Sequence, residues 1–172
     1  PAALRLALVQ AAIADEPRFV ADDREIQRDA PSYTLHTLES LRAERGVTES
    51  ICVLVGGDAF AEFLTWHRPQ DILGLAHLVV MQRPGAPAGW DPSLRGLVER
   101  HRADRAAELC TRPSGRILLQ PVTQLDISAT DIRARLRAGR SARYLIPDAV
   151  LELIRRERLY VSPAGDPGTD AL

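Results

Sequence analysis

The sequence predicts an α/β fold built on a mainly parallel sheet, and three features carry that prediction. Uninterrupted apolar runs recur at Ile51-Cys52-Val53-Leu54-Val55, Leu78-Val79-Val80-Met81 and Ile117-Leu118-Leu119, the pattern of strands buried on both faces. Stretches with apolar residues at helical spacing lie between and around those runs. Gly56-Gly57-Asp58 leads straight out of the first run into such a stretch, as a strand-to-helix turn does in an alternating chain.

Taken in order, residues 3–14 read as a helix with Leu4, Leu8 and Ala11 or Ala12 on one face, ended by Pro17. Phe19-Val20-Ala21 is expected to begin a short strand running towards Ile26. Pro31-Ser32 starts the next helix, with Ser32 as its cap and Leu35, Leu38 and Leu41 on its apolar side, and Gly46 closes it. A charged helix is expected over roughly 93–109, its arginines and acids forming a solvated face. Residues 130–138 and 148–157 read as helices. Pro147-Asp148 announces the second, and Val150, Leu151 and Ile154 form its apolar side. Residues 162–172, rich in Pro, Gly and Asp, read as a disordered tail.

Composition narrows the chemistry. A chain of 172 residues is most simply one domain with a real core. Its net charge of −1 provides no positive field to recruit nucleic acid. All 22 basic residues are arginines, so a Schiff-base lysine and a P-loop lysine are excluded within these residues. Any phosphate contact from a basic side chain must therefore come from arginine. Cys52 and Cys110 form no Cys-x-x-Cys; Cys52, inside an apolar run, is expected in the core, and no disulfide framework is implied. No apolar run approaches membrane-spanning length. A cytoplasmic setting without membrane or nucleic-acid partners is the resulting expectation, with a homo-oligomer possible.

The stretch richest in chemical meaning is Ile127-Ser128-Ala129-Thr130-Asp131-Ile132-Arg133. It opens a helix shortly after an apolar run. Unpaired backbone N–H groups and the helix dipole favour an anion there; Ser128 and Thr130 add hydroxyls, and Arg133 adds a planar fork that fits phosphate oxygens. Ser128 and Asp131 also match a capping box, which needs no ligand. Asp58, beyond a strand's carboxyl end, is placed to bind ribose hydroxyls or to cap the helix that follows it. Trp66, in Thr65-Trp66-His67-Arg68, suits either core packing or stacking on a planar ligand. The four histidines, His36, His67, His77 and His101, show no metal-ligand spacing, and His77 reads as structural.

Ser128-Ala129-Thr130-Asp131-Ile132-Arg133 matches the Ser-x-Thr-x-x-Arg motif of the nucleotidyltransferase superfamily. With Pro31-Ser32-Tyr33-Thr34, Gly56-Gly57-Asp58, Trp66-His67, Arg143-Tyr144-Leu145-Ile146-Pro147-Asp148 and Leu159-Tyr160, the chain resembles bacterial nicotinate-nucleotide adenylyltransferases almost throughout, to about Tyr160. The resemblance implies a Rossmann-like, doubly wound sheet with C-terminal helices, in a nucleotidyltransferase domain spanning 1–161. It implies transfer of AMP from ATP, its phosphates carrying Mg²⁺, to nicotinate mononucleotide, giving deamido-NAD and pyrophosphate. Arg133, as the catalytic arginine, Ser128, Thr130 and Asp58 then belong to ATP, and Tyr33, Thr34, Trp66 and His67 to the nicotinate nucleotide. Trp66 would stack on the nicotinate ring, and the backbone around Thr34 and His67 would hold its carboxylate. His36 stands where the family often carries an acid, in Tyr-Thr-x-Asp. The family's Gly-Gly-x-Phe-Asp-Pro-x-His-x-Gly-His segment, whose histidines hold ATP phosphates, does not occur in these residues. A truncated form, N-terminally incomplete by about one βαβ unit, is therefore expected. A sister enzyme acting on nicotinamide mononucleotide and a non-catalytic nucleotide-binding remnant are the alternatives.

Overall fold

The computed structural model describes residues 1–82, 89–123, 125 and 127–160; the expected tail at 162–172 lies outside them. Contacts gather into two compact units, one of residues 28–124 and one of residues 1–27 with the stretch from Leu125 onward.

The first unit holds a four-stranded parallel sheet, as expected of an α/β chain. Its strands are β1 (Cys52–Gly56), β2 (His77–Gln82), β3 (Arg102–Ala103) and β4 (Ile117–Pro121), in the order β1-β2-β4-β3. Leu78, Val80 and Ile117 are buried on one face with Val55 at its edge. They pack with Phe60, Phe63, Ile72, Leu94 and Leu97 from the helices α4 (Gly57–Ala61), α5 (Pro69–Leu75) and α6 (Pro92–His101) and from the 3-10 turn Phe63–Thr65. Helix α3 (Thr34–Arg45) adds Leu35 and Leu38 to the same core. Local chemistry sets the helix ends. Asp91 caps α6 by accepting from the Ser93 N–H at 2.8 Å, and Pro92 follows at the first helical position, where its missing donor costs nothing. Gly46 ends α3 at φ +85°, a conformation that strains any residue with a Cβ.

The opposite face carries the in-register row Leu54, Val79, Leu118. Leu118 is buried with Leu109 and Ala103, Val79 is half-buried, and Leu54 is 64% exposed. Among the described residues β1 lies at the edge of the sheet and cover fades towards it, so the Ile51–Val55 run is not buried on both faces there. Cys52, on the same side of β1 as Leu54, is exposed rather than in the core.

The second unit holds α1 (Ala2–Ile13), α2 (Arg24–Gln27), α7 (Ala129–Arg137) and α8 (Asp148–Arg156). Helix α8 buries Val150, Leu151, Leu153 and Ile154 and packs along α1, whose Leu4, Leu8 and Ala11 are half-buried while Ala12 is exposed.

Four further expectations are corrected. Phe19-Val20-Ala21 is not a strand: nothing among the described residues pairs with it, Phe19 and Val20 are exposed, and the chain turns instead into α2, with Asp22 accepting from the Arg24 N–H. A strand exists only through its ladder, so apolar composition alone did not suffice. It follows that Tyr33 and Thr34, expected from the sequence to follow that strand's carboxyl end, do not trail a strand. Ser32 is not the cap of α3; Tyr33 holds that position, with no side-chain cap bond. The helix expected over 93–109 ends at His101, giving way to β3 and a 3-10 turn over Ala106–Thr111.

Candidate active site

In the sheet unit, the start of α3 and the segment after the 3-10 turn meet in a cleft of about 270 Å³ lined by Ser32, Tyr33, Thr34, Thr65, Trp66, His67 and Ile72. All four residues singled out for the nicotinate end are among them, although Tyr33-Thr34 and Trp66-His67 lie far apart in sequence. Tyr33 and His67 stack with ring centroids 4.6 Å apart at 25°. Trp66 is half-buried, edge-on to Phe63 at 5.5 Å, and packs against the apolar core as well as lining the cleft. This one ring therefore both packs against the core and lines the cleft. Tyr33 makes no side-chain cap bond to the first turn of α3, whose backbone N–H groups form the positive end of the helix dipole. A planar group bearing a carboxylate suits such a place: rings at its sides and N–H groups at its end.

Asp58 is exposed in the first turn of α4, just beyond the carboxyl end of β1. The cap of α4 is Gly56, so Asp58 does not cap that helix. Ligands of open parallel sheets gather beyond these strand ends, and Gly56, Met81, Gln82 and Pro121 end three of them in matched register.

In the helical unit, α7 begins at the hydroxyl–arginine motif. Ser128 is its N-cap: its Oγ accepts from the Asp131 N–H at 3.0 Å and donates to Asp131 Oδ2 at 2.7 Å. The capping reading of Ser128 is thus realised. Thr130 and Arg133 lie together one turn apart, with Arg133 Nη2 donating to Thr130 Oγ1 at 3.3 Å. Arg133 is half-buried and Thr130 exposed.

Two polar residues outside these groups were assigned no partners by the sequence. His77 is fully buried; its Nδ1 accepts from the Arg116 N–H at 3.0 Å, which leaves Nε2 to donate to the Arg112 carbonyl at 2.9 Å. Its expected structural role is what the geometry provides. Arg42 reaches the carbonyls of Leu75, Pro113, Gly46 and Glu49 and so ties α3 to the ends of three other segments. No local signal announces its ties to Leu75 and Pro113, which are distant in sequence.

A family model described as cytidylyltransferase-like matches residues 1–135. The chain belongs to that family. Among cytidylyltransferase-like proteins, it is 46% identical over 157 residues to a probable nicotinate-nucleotide adenylyltransferase of Methylococcus capsulatus, an alignment covering 91% of this chain and 74% of the relative. It is 48% identical over 163 residues to a probable nicotinate-nucleotide adenylyltransferase of Pseudomonas aeruginosa, covering 94% and 75%. Among solved structures, the Plasmodium falciparum nicotinic acid mononucleotide adenylyltransferase complexed with NaAD matches with a TM-score of 0.59 at 12% identity, covering 92% of this chain and 73% of that one. The same enzyme complexed with APC matches at 0.56 and 14%, covering 92% and 75%. At these identities the likeness is one of fold, and it extends to the parallel sheet with flanking helices.

Proposed function

We propose that this protein transfers the adenylyl group of ATP to nicotinate mononucleotide, releasing pyrophosphate and forming deamido-NAD. The observation that carries the reading is the cleft: Tyr33, Thr34, Trp66 and His67 assemble from separate segments into one ring-walled site beside the N-terminus of α3. The identity of 46–48% to relatives named for this activity supports it.

In this reading Trp66 stacks on the pyridine ring, and backbone N–H groups around Thr34 and His67 hold its carboxylate. Asp58 binds a ribose, and the α7 motif serves the ATP phosphates, Thr130 and Arg133 by direct contact and Ser128 by capping the helix that presents them. An oxygen of the mononucleotide phosphate attacks the α-phosphorus of ATP. One P–O bond forms as the bond from α-phosphorus to the bridging oxygen breaks, and pyrophosphate leaves with that electron pair. No enzyme nucleophile is needed, so the protein's work is positioning and charge stabilisation. Among the described residues no three His, Cys, Asp or Glu side chains converge into a metal cage. Magnesium, a hard cation, would be carried on the phosphate oxygens of ATP.

The test is pyrophosphate release by the full-length product carrying these residues, given ATP, magnesium and either nicotinate or nicotinamide mononucleotide. A clear preference for the nicotinate form is expected. Equal or better use of the amide would move the protein to the sister activity, and release with neither would leave it a nucleotide-binding protein.

A further inference from the structure

His36 lies one helical turn along α3 from Tyr33, and its ring stands edge-on to two others. Its centroid is 5.6 Å from that of Tyr33 at 80°, and 5.8 Å from that of His67 at 67°. Tyr33 and His67 are themselves stacked, and both line the cleft, whereas His36 does not. His36 is half-buried, and its carbonyl accepts from Arg28 Nη2 at 3.4 Å. The segment bearing His67 is anchored through Phe63, Trp66 and Ile72, which pack in or against the core, while its polar side chains bond locally: Thr65 Oγ1 donates to the Glu62 carbonyl, and Arg68, at a left-handed φ of 52°, pairs with Asp71. The exposed His67 ring itself meets the rings of Tyr33 and His36.

We propose that His36 is a positioning residue for the nicotinate end of the cleft, clamping the Tyr33–His67 stack from behind through its ring. The inference rests on the nicotinate-nucleotide reading of that cleft. The clamp sets where the Tyr33–His67 wall stands relative to Trp66, and so the gap a planar ring can enter. Edge-to-face packing needs a flat group with ring hydrogens directed at a neighbouring face, and neither an acid nor a methyl supplies one. Where the Tyr-Thr-x-Asp pattern has a carboxylate, this chain has a ring that performs a different task.

The experiment compares His36→Ala, His36→Phe and His36→Asp with the unaltered full-length protein, reading kcat, KM for each substrate and the melting midpoint. Aromatic contacts of this kind shift an equilibrium by about two- to tenfold each, so the alanine variant should raise KM for nicotinate mononucleotide by about fivefold. Its kcat and its KM for ATP should stay near the unaltered values. The phenylalanine variant should regain most of the affinity and the aspartate variant should not. If the alanine variant does not fold, the phenylalanine–aspartate comparison decides. Recovery by aspartate but not phenylalanine, or three variants alike, would overturn the clamp. An unaltered protein that ignores nicotinate mononucleotide would instead overturn the reading of the cleft, and the clamp with it.

Discussion

Arg42→Met is expected to lower the stability of the fold by about 3 kcal/mol. The guanidinium donates to the Leu75 carbonyl from Nε at 2.8 Å and from Nη2 at 2.5 Å, and Nη2 also reaches the Pro113 carbonyl at 2.7 Å. Nη1 serves Gly46 at 3.2 Å and Glu49 at 2.5 Å, where solvent can replace it. A hydrogen bond to a charged group is worth about 1.5–3 kcal/mol; the two half-buried carbonyls taken at the lower end give about 3 kcal/mol, and the exposed pair adds little. Methionine keeps the apolar stem, so the loss reports the bonds rather than the packing. In a chain of this size that loss lowers the melting midpoint by about 6–12 °C. Arg42→Lys keeps the charge without the planar fork and should lose about half as much. The assay is thermal and urea unfolding of the full-length product, with KM for nicotinate mononucleotide measured alongside. Because Tyr33 and Thr34 lie at the far end of α3, KM should barely move while the protein stays folded. A midpoint within about 2 °C of the unaltered protein, which corresponds to less than about 1 kcal/mol, would refute the reasoning.

His77→Leu should destabilise by about 3 kcal/mol in chemical unfolding, since it orphans the buried Arg116 N–H and Arg112 carbonyl together; a neutral result would show that water reaches both. Trp66→Ala should raise KM for nicotinate mononucleotide about tenfold or more with little change for ATP, because stacking on a planar base is worth about 1–3 kcal/mol. A parallel rise for both substrates with a lowered melting midpoint would make Trp66 a core residue only. Arg133→Lys should leave the melting midpoint unchanged and cut kcat by about 100-fold, the loss typical of removing one preorganised donor. Turnover near normal in that variant would take Arg133 out of the site.

Much of this was legible in the sequence, and the illegible parts share a cause. The runs at Val53, Val79 and Leu118 announced strands because a strand's side chains declare themselves locally. β3, only Arg102 and Ala103, has no apolar signal of its own and exists because β4 offers it a ladder. The error at Phe19 is the converse: good strand residues with no described partner. That β1 lies at an edge among the described residues is a matter of sheet order, which the run Ile51–Val55 does not carry by itself. In the cleft, Tyr33, Thr34, Trp66 and His67 were found through their motifs, but the His36 contacts and the reach of Arg42 join residues distant along the chain. Such pairings are visible only once the fold has brought the segments together.

The motif at α7 distributes its work unevenly under the proposed reading. The Ser128 hydroxyl has one proton, and Asp131 Oδ2 takes it at 2.7 Å while the Asp131 N–H occupies the oxygen. For Ser128 to donate to a phosphate it would have to release that carboxylate, leaving a negative group beside a second one at the same helix end, which like-charge repulsion opposes. Thr130 carries no such debt: it accepts from Arg133 Nη2, so its own proton points elsewhere and both groups can donate to one anion. The hydroxyl of Ser128 therefore fixes where α7 begins, and with it the position of Thr130 and Arg133. Under the proposed function those two make the direct phosphate contacts, the guanidinium giving the two-pronged geometry. A motif that looks like three equivalent ligands in sequence thus resolves into one residue that builds the helix end and two that use it.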